Sequence, residues 1–280
     1  MNIETAIKRA SQILKMNNIK SYQLDSEILM QQTIDKERKY IILNSQEKIS
    51  KKKLYYYNKL VENRSKGKPI AYITGVKEFW KYQFNITRDV LIPRPDTEII
   101  VEQILKLTLN KSKLKLLDIG VGSGCILLSI LEEKKDFLGV GIDVSKQAIE
   151  ICKINAGKLG LFNRVKLYKS NVDKFNYGKY DLIVSNPPYI NKIDYNNLSK
   201  EVIDYEPKLA LDGGLDGLSE IRNVINKSSE LIKRNGKLFL EIAHDQKRKV
   251  TKILLNKGFF INKVIKDYAG NDRCIISTRL

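Results

Sequence analysis

From Asp96 to the carboxyl end the chain alternates between strand-like apolar runs and segments of helical period, and this alternation restricts the fold more than any other feature. Helical spacing covers 97–107, 124–132, 146–159 and 218–231, and short apolar strands are expected at 115–119, 138–142, 165–168, 181–184 and 237–241. Strands separated by helices need crossover connections, so the sheet is expected to be mainly parallel, with helices on both faces. The last two strands, 259–265 and 274–278, lie too close together for a helical crossover and predict an antiparallel hairpin that closes the sheet edge. At 280 residues with 42% hydrophobic composition, the chain can fill one large core or two smaller ones, which excludes disorder as its ground state.

The amino-terminal part has a different texture. Ile3, Ala6, Ile7, Ala10, Ile13 and Leu14 recur at helical spacing, Leu24, Ile28 and Leu29 follow Ser21 as an expected N-cap, and 54–61 continues the pattern. Residues 1–75 therefore predict a small all-helical domain, residues 76–95, rich in aromatic residues and proline, a linker with one short hairpin, and residues 96–280 the α/β domain. The net charge is +18, and residues 1–75 carry +8 of it, the denser share, so electrostatic docking to a polyanion or an acidic protein would begin there. The excess of lysine over arginine, together with abundant Asn and Ile, fits compositional bias equally well. No apolar run approaches a membrane span, and the opening residues lack an apolar leader core, so a cytoplasmic location is expected. Cys125, Cys152 and Cys274 have neither disulfide-framework nor zinc-cage spacing, and no metal is expected.

Two loops carry the chemistry. Asp118-Ile-Gly-Val-Gly-Ser-Gly124 links a strand to a helix, and Gly120, Gly122 and Gly124 let backbone turn tightly against a ligand, with Val121 and Ser123 between them. Asp143 ends the next strand, where a carboxylate can bind ribose hydroxyls. The G-x-G-x-G spacing favours S-adenosylmethionine over a dinucleotide. Asn186-Pro187-Pro188-Tyr189 directly follows another strand, and its two prolines fix the backbone and remove two donors. The Asn186 side-chain oxygen and the Pro187 carbonyl can then accept from one NH₂ group and hold its nitrogen toward a pyramidal, nucleophilic geometry, while Tyr189 walls one face. The lone histidine, His244, argues against histidine-dependent acid–base chemistry.

These motifs, together with Pro69-Ile-Ala-Tyr-Ile-Thr-Gly75, Glu78-Phe-Trp80, Leu91-Ile-Pro-Arg-Pro-Asp-Thr-Glu98, Glu206-Pro and Ala269-Gly-Asn-Asp-Arg273, run over nearly the whole chain. In them the sequence resembles the protein-(glutamine-N5) methyltransferases of peptide chain release factors. The resemblance implies a Rossmann-like methyltransferase α/β fold, preceded by the helical substrate-docking domain. It implies transfer from S-adenosyl-L-methionine to the glutamine of a Gly-Gly-Gln motif, with release factors as partners and no requirement for nucleic acid; a monomer is expected. It also implies that Gly120, Val121, Gly122, Ser123, Gly124, Asp143, Asn171, Val172 and Asn186 hold the donor, and that Asn186, Pro187, Pro188 and Tyr189 hold the glutamine, with Asn186 and Pro187 catalytic. The family often carries an acidic residue and then an aromatic where this chain has Asn171 and Val172, so less stacking area is expected against the adenine. The alternative from the Asn-Pro-Pro-Tyr motif alone is an N6-adenine or rRNA exocyclic-amine methyltransferase, but no separate base-flipping region stands between the motifs. A nucleic-acid binder with an inactive core would leave the intact motif unexplained.

Overall fold

The computed structural model describes residues 1–280 and divides them into two units, Met1–Gly75 with Lys200–Tyr205, and Val76–Ser199 with Glu206–Leu280. In the first, helices α1 (Ile3–Met16), α2 (Tyr22–Ile34), α3 (Arg38–Leu43), α4 (Lys51–Ser65) and α5 (Ile70–Thr74) pack around one core. The Asn2 side chain accepts from the Thr5 N–H at 2.8 Å and so starts α1, which buries Ile3, Ala6, Ala10 and Leu14 on one stripe. Ser21 precedes α2 but does not cap it. Its hydroxyl instead donates to Asp25 Oδ2 at 2.8 Å. That carboxylate is buried against Arg64 Nε at 2.6 Å, which turns the inner face of α2 to Asp25, Leu29 and Met30 and leaves Leu24 exposed. The short helix Lys200–Tyr205, α10 in chain order, belongs to this unit through Glu201, 3.2 Å from Arg64 Nη1, and through the Tyr205 hydroxyl, which donates to the Lys66 carbonyl.

The second unit opens with a two-residue hairpin, β1 (Val76–Phe79) and β2 (Tyr82–Asn85). Trp80 turns the chain at φ +57°; its N–H donates to Glu98 and its indole to Glu133. The α/β elements follow as α6 (Glu98–Leu107), β3 (Lys115–Ile119), α7 (Cys125–Glu133), β4 (Leu138–Asp143), α8 (Lys146–Lys158), β5 (Val165–Lys169) and β6 (Tyr180–Ser185). After them come α9 (Lys192–Asn196), α11 (Ser219–Leu231), β7 (Ile232–Glu241), α12 (Lys247–Asn256), β8 (Phe259–Lys266) and β9 (Asp272–Arg279).

The large sheet runs β5-β4-β3-β6-β7-β9-β8, parallel through β7, with β9 antiparallel between β7 and β8. The expected parallel sheet closed by a terminal hairpin is therefore present. Its central strands β3 and β6 are buried on both faces, as crossover helices require. Two elements differ from the sequence pattern. The strand expected at 237–241 begins at Ile232, because Asn235 at φ +63° and a register break opposite Tyr180 and Leu182 let an irregular stretch join the ladder. Helix α12 lies in a lysine-rich stretch where Val250 and Leu254 are buried and Ile253 packs beside them, a short apolar stripe not assigned to a helix from sequence. No helix is long and apolar enough to cross a membrane.

Candidate active site

The order β5-β4-β3-β6-β7 puts the sheet's switch point between β3 and β6: the chain leaves β3 toward β4 and leaves β6 toward β7. Ligands of open α/β sheets bind in the crevice beyond the carboxyl ends of the strands at such a point. Ile119 and Ser185 are register partners at those ends, so the glycine loop and the Asn186 loop emerge side by side. Asp143 ends β4, the next strand over.

The glycine loop is held largely by its own backbone. The Gly120 and Val121 N–H groups both donate to the Ile142 carbonyl at 2.9 Å, and the Gly122 N–H donates to Asp143 Oδ2 at 3.0 Å. Asp143 Oδ1 accepts from the Ser145 N–H at 2.9 Å, and burial raises this carboxyl against the pull of those two amides. Gly120 and Gly124 serve different ends. At Gly120, φ +79°, a Cβ would meet nothing within 4 Å, so the backbone faces open space. At Gly124, φ +83°, a Cβ would stand 2.6 Å from Cys152 Sγ and 2.8 Å from Leu128 Cδ1, which makes that glycine a packing requirement of α7. Asn155 of α8 fixes the loop from behind, donating to the Ser123 carbonyl at 2.8 Å and to the Asn85 carbonyl at 3.1 Å.

Asp118, at the foot of the loop, is 1% exposed, and the structure gives neither carboxylate oxygen a hydrogen bond. Burial pushes its pKa up to about 8. An unpartnered buried carboxyl beside an open glycine cradle fits a ligand that brings a cationic group. Val121 is buried against Gly141, so it offers the site its backbone only. Asn171 Oδ1 accepts from the Asp173 N–H at 3.3 Å, and Val172 packs into the core with Ile142 and Tyr180, so little of its side chain is left for stacking.

In the second loop Pro187 is buried, while Asn186, Pro188 and Tyr189 are partly exposed. Asn186 Nδ2 donates to Thr97 Oγ1 at 3.3 Å, and Thr97 Oγ1 donates to Glu241 Oε2 at 2.7 Å. The Tyr189 hydroxyl donates to Glu241 Oε1 at 3.3 Å, and Gln246 Nε2 donates to the Tyr189 carbonyl at 3.0 Å. Glu241 is buried at the end of β7, and burial pushes it up to about 7, with Thr97, Arg273 and Tyr189 favouring its charge and Asp96 opposing it. Around the network Arg273 Nη2 lies 3.0 Å from Asp267 and 3.7 Å from Asp96, and Arg94 Nη2 donates to Glu206 at 2.5 Å. Segments far apart in sequence, 91–98, 186–189, 206 and 269–273, thus meet at one sheet edge. Sequence reasoning names Asp118 and Thr97 only as members of their motifs, without the unpaired carboxyl or the contact to Asn186, and misses Glu241. For Glu241 the available signal was a carboxylate ending the otherwise apolar strand segment Leu238-Phe239-Leu240; for Thr97 it was its place in the 91–98 segment. His244 is an exposed turn residue outside this network.

A parallel sheet with a terminal antiparallel hairpin, a glycine loop and an Asn-Pro-Pro-Tyr loop paired at its switch point define a methyltransferase of the Rossmann-like class. Residues 5–75 match the family model described as PrmC N-terminal domain, and residues 96–218 match Methyltransferase small domain. The chain is 39% identical over 283 residues to the release factor glutamine methyltransferase of Clostridium acetobutylicum, covering 100% of this chain and 99% of that protein. It belongs to the release factor glutamine methyltransferase family. A bifunctional methyltransferase of Rickettsia conorii is 35% identical over 300 residues, across 98% of this chain, which spans only 57% of that longer protein. A methyltransferase structure from Pyrococcus furiosus shares the fold at a TM-score of 0.52 and 20% identity, over 70% of this chain and 87% of that one.

Proposed function

We propose that this chain transfers a methyl group from S-adenosyl-L-methionine to the side-chain amide nitrogen of the glutamine in the Gly-Gly-Gln motif of peptide chain release factors. The observation that carries the reading is the pairing of Ile119 with Ser185, which sets the glycine loop beside the Asn186 loop and so supports a donor site next to a substrate site. When bound, the donor supplies an electrophilic methyl on a sulfonium. Gly120 to Gly124 would line its path, Asp143 would accept from its ribose, Asn171 and Val172 would border its adenine, and Asp118 would meet its ammonium group. Asn186 Oδ1, to which no protein group donates, and the Pro187 carbonyl would accept from the substrate NH₂. Held by two acceptors, that nitrogen loses conjugation with its carbonyl and turns its lone pair toward the methyl. Tyr189, fixed through its hydroxyl and its carbonyl, would close one face of the planar amide. The site has no histidine base and needs none, because the proton can leave after the bond to a cationic donor has begun to form.

Residues 1–75 would dock the release factor. Their net charge of +8 supports this, as does the exposed face of α4, where Lys52, Tyr55, Tyr56 and Lys59 lie at helical spacing. The test is incubation with labelled S-adenosylmethionine and a release factor, a DNA duplex or rRNA in parallel, followed by mass spectrometry. Label on the Gly-Gly-Gln peptide alone supports the reading, and label on nucleic acid alone overturns it.

A further inference from the structure

We propose that Thr97 and Glu241 form a buried positioning relay that sets which end of the Asn186 carboxamide faces the substrate. The inference rests on the function proposed above and adds to it two residues that come from outside both motif loops.

The direction of the relay follows from hydrogen-bond inventory. An ionised carboxylate can only accept, so the single hydroxyl proton of Thr97 is committed to Glu241 Oε2, 2.7 Å away. Thr97 Oγ1 is then left with lone pairs alone, and it can face only a donor. Asn186 must therefore turn Nδ2 toward it, as observed at 3.3 Å, and present Oδ1 on its other side. With the amide reversed, an oxygen would face an oxygen at Thr97, and an NH₂ would face the NH₂ of the substrate. Two donors facing each other cannot grip the nitrogen, so the wrong orientation loses the contact and adds repulsion.

The relay is shielded from solvent. Thr97 is 2% exposed and Glu241 2%, so water does not compete for either group. Glu241 also accepts from the Tyr189 hydroxyl at 3.3 Å, so one carboxylate orients both side chains that would contact the glutamine amide. The register extends the argument: Ser185 pairs with Leu240, which brings Glu241 level with Asn186 on the neighbouring strand. Thr97 enters from a separate segment, just before α6.

Three variants, Thr97→Val, Thr97→Ser and Glu241→Gln, test the relay in the full chain, with Thr97→Val also combined with Asn186→Ala. Single-turnover methylation of a release factor at saturating donor gives the rate, calorimetry gives donor affinity, and nitrogen–proton NMR follows the Asn186 side-chain amide without any substrate. Thr97→Val is expected to slow transfer by about ten- to a hundredfold, by analogy with the loss of an outer partner that orients a metal-ligating side chain. Donor affinity should stay within about twofold, and Thr97→Ser, which keeps the hydroxyl, should restore the rate. In the Asn186→Ala background, Thr97→Val should cost almost nothing more, because the residue through which it acts is gone. Glu241→Gln should shift and broaden the Asn186 amide signals. A Thr97→Val rate within about threefold of wild type, far short of that scale, overturns the relay. So does an equal further loss in the Asn186→Ala background, or an Asn186 amide signal unchanged in both variants. If the wild-type chain methylates no release factor, the function proposed above fails, and the relay is then decided by the NMR signal alone.

Discussion

Ser185 donates its hydroxyl to the Ile119 carbonyl at 2.7 Å, a side-chain bond between the last paired residues of β3 and β6. It ties together the two strand ends from which the glycine loop and the Asn186 loop depart. Replacing Ser185 with Ala removes the bond, and we expect a loss of about 1 kcal/mol, read as a fall in the denaturant midpoint with an unchanged slope. Transfer should slow more than donor binding weakens, because the loops lose register with each other while each keeps its internal hydrogen bonds.

Two glycines of the same loop should respond differently to alanine. Gly124→Ala drives a Cβ into Cys152 and Leu128 as well as straining a φ of +83°, so it should lower thermal stability markedly. Gly120→Ala has open space before it, so its cost should be mainly the positive φ, about 1–2 kcal/mol. Its methyl group would enter the cradle, so donor affinity measured by calorimetry should fall further than stability.

Asp118 keeps its proton in the folded chain to about pH 8, whereas an ordinary aspartate releases it near 3.8. Between those values the unfolded state binds fewer protons, so this residue makes stability fall as pH rises. Asp118→Asn should therefore stabilise the donor-free protein at pH 8, by about 1–3 kcal/mol as for an unpaired buried polar group, with the gain shrinking toward pH 4. The same variant should bind S-adenosylmethionine at least about tenfold more weakly, the loss of one charged hydrogen bond. A stability gain without the affinity loss would remove Asp118 from the donor site.

Glu241 has a folded-state pKa of about 7 against an ordinary value of 4.5, so the relay carries its full charge only above neutral pH. The groups facing it are Thr97, Tyr189, Arg273 and Asp96, with the Cys274 and Cys125 thiols nearby; burial raises the tyrosine and both thiols, which do not titrate around neutrality. The transfer rate should therefore rise between about pH 6 and 8, and Glu241→Gln should flatten that inflection. The sign for stability is opposite: native Glu241 holds its proton between 4.5 and about 7, so its contribution declines as pH rises through that window.

Charge reversal of the exposed lysines of α4, Lys52→Glu with Lys59→Glu, should slow methylation of a whole release factor but leave a short Gly-Gly-Gln peptide unaffected. Added salt should produce part of the same effect in the wild-type protein, since exposed charges are screened beyond about 8–10 Å near physiological ionic strength. Equal rates on the whole factor would remove the docking role from that face.

The parallel sheet, its terminal hairpin and both motif loops were legible in the chain because each leaves a local signature: short apolar runs between helical segments, glycines at fixed spacing, two prolines after an asparagine. Helix α12 was not, because Val250, Ile253 and Leu254, which pack on the core, stand at helical spacing over little more than one turn among lysines. Ser21 stands where an N-cap should, yet its hydroxyl is drawn to Asp25, whose carboxylate Arg64 holds from another helix. The relay has the same character. Asn186 is conspicuous in the sequence, but the orientation of its amide is decided by Thr97, 89 positions away, and by Glu241, 144 positions from Thr97. Local sequence sets which backbone a segment prefers, since propensity and periodicity act over a few residues. Which hydrogen-bond partner a buried polar group finds, and hence its charge and its direction, depends on strands that become neighbours only when the sheet assembles.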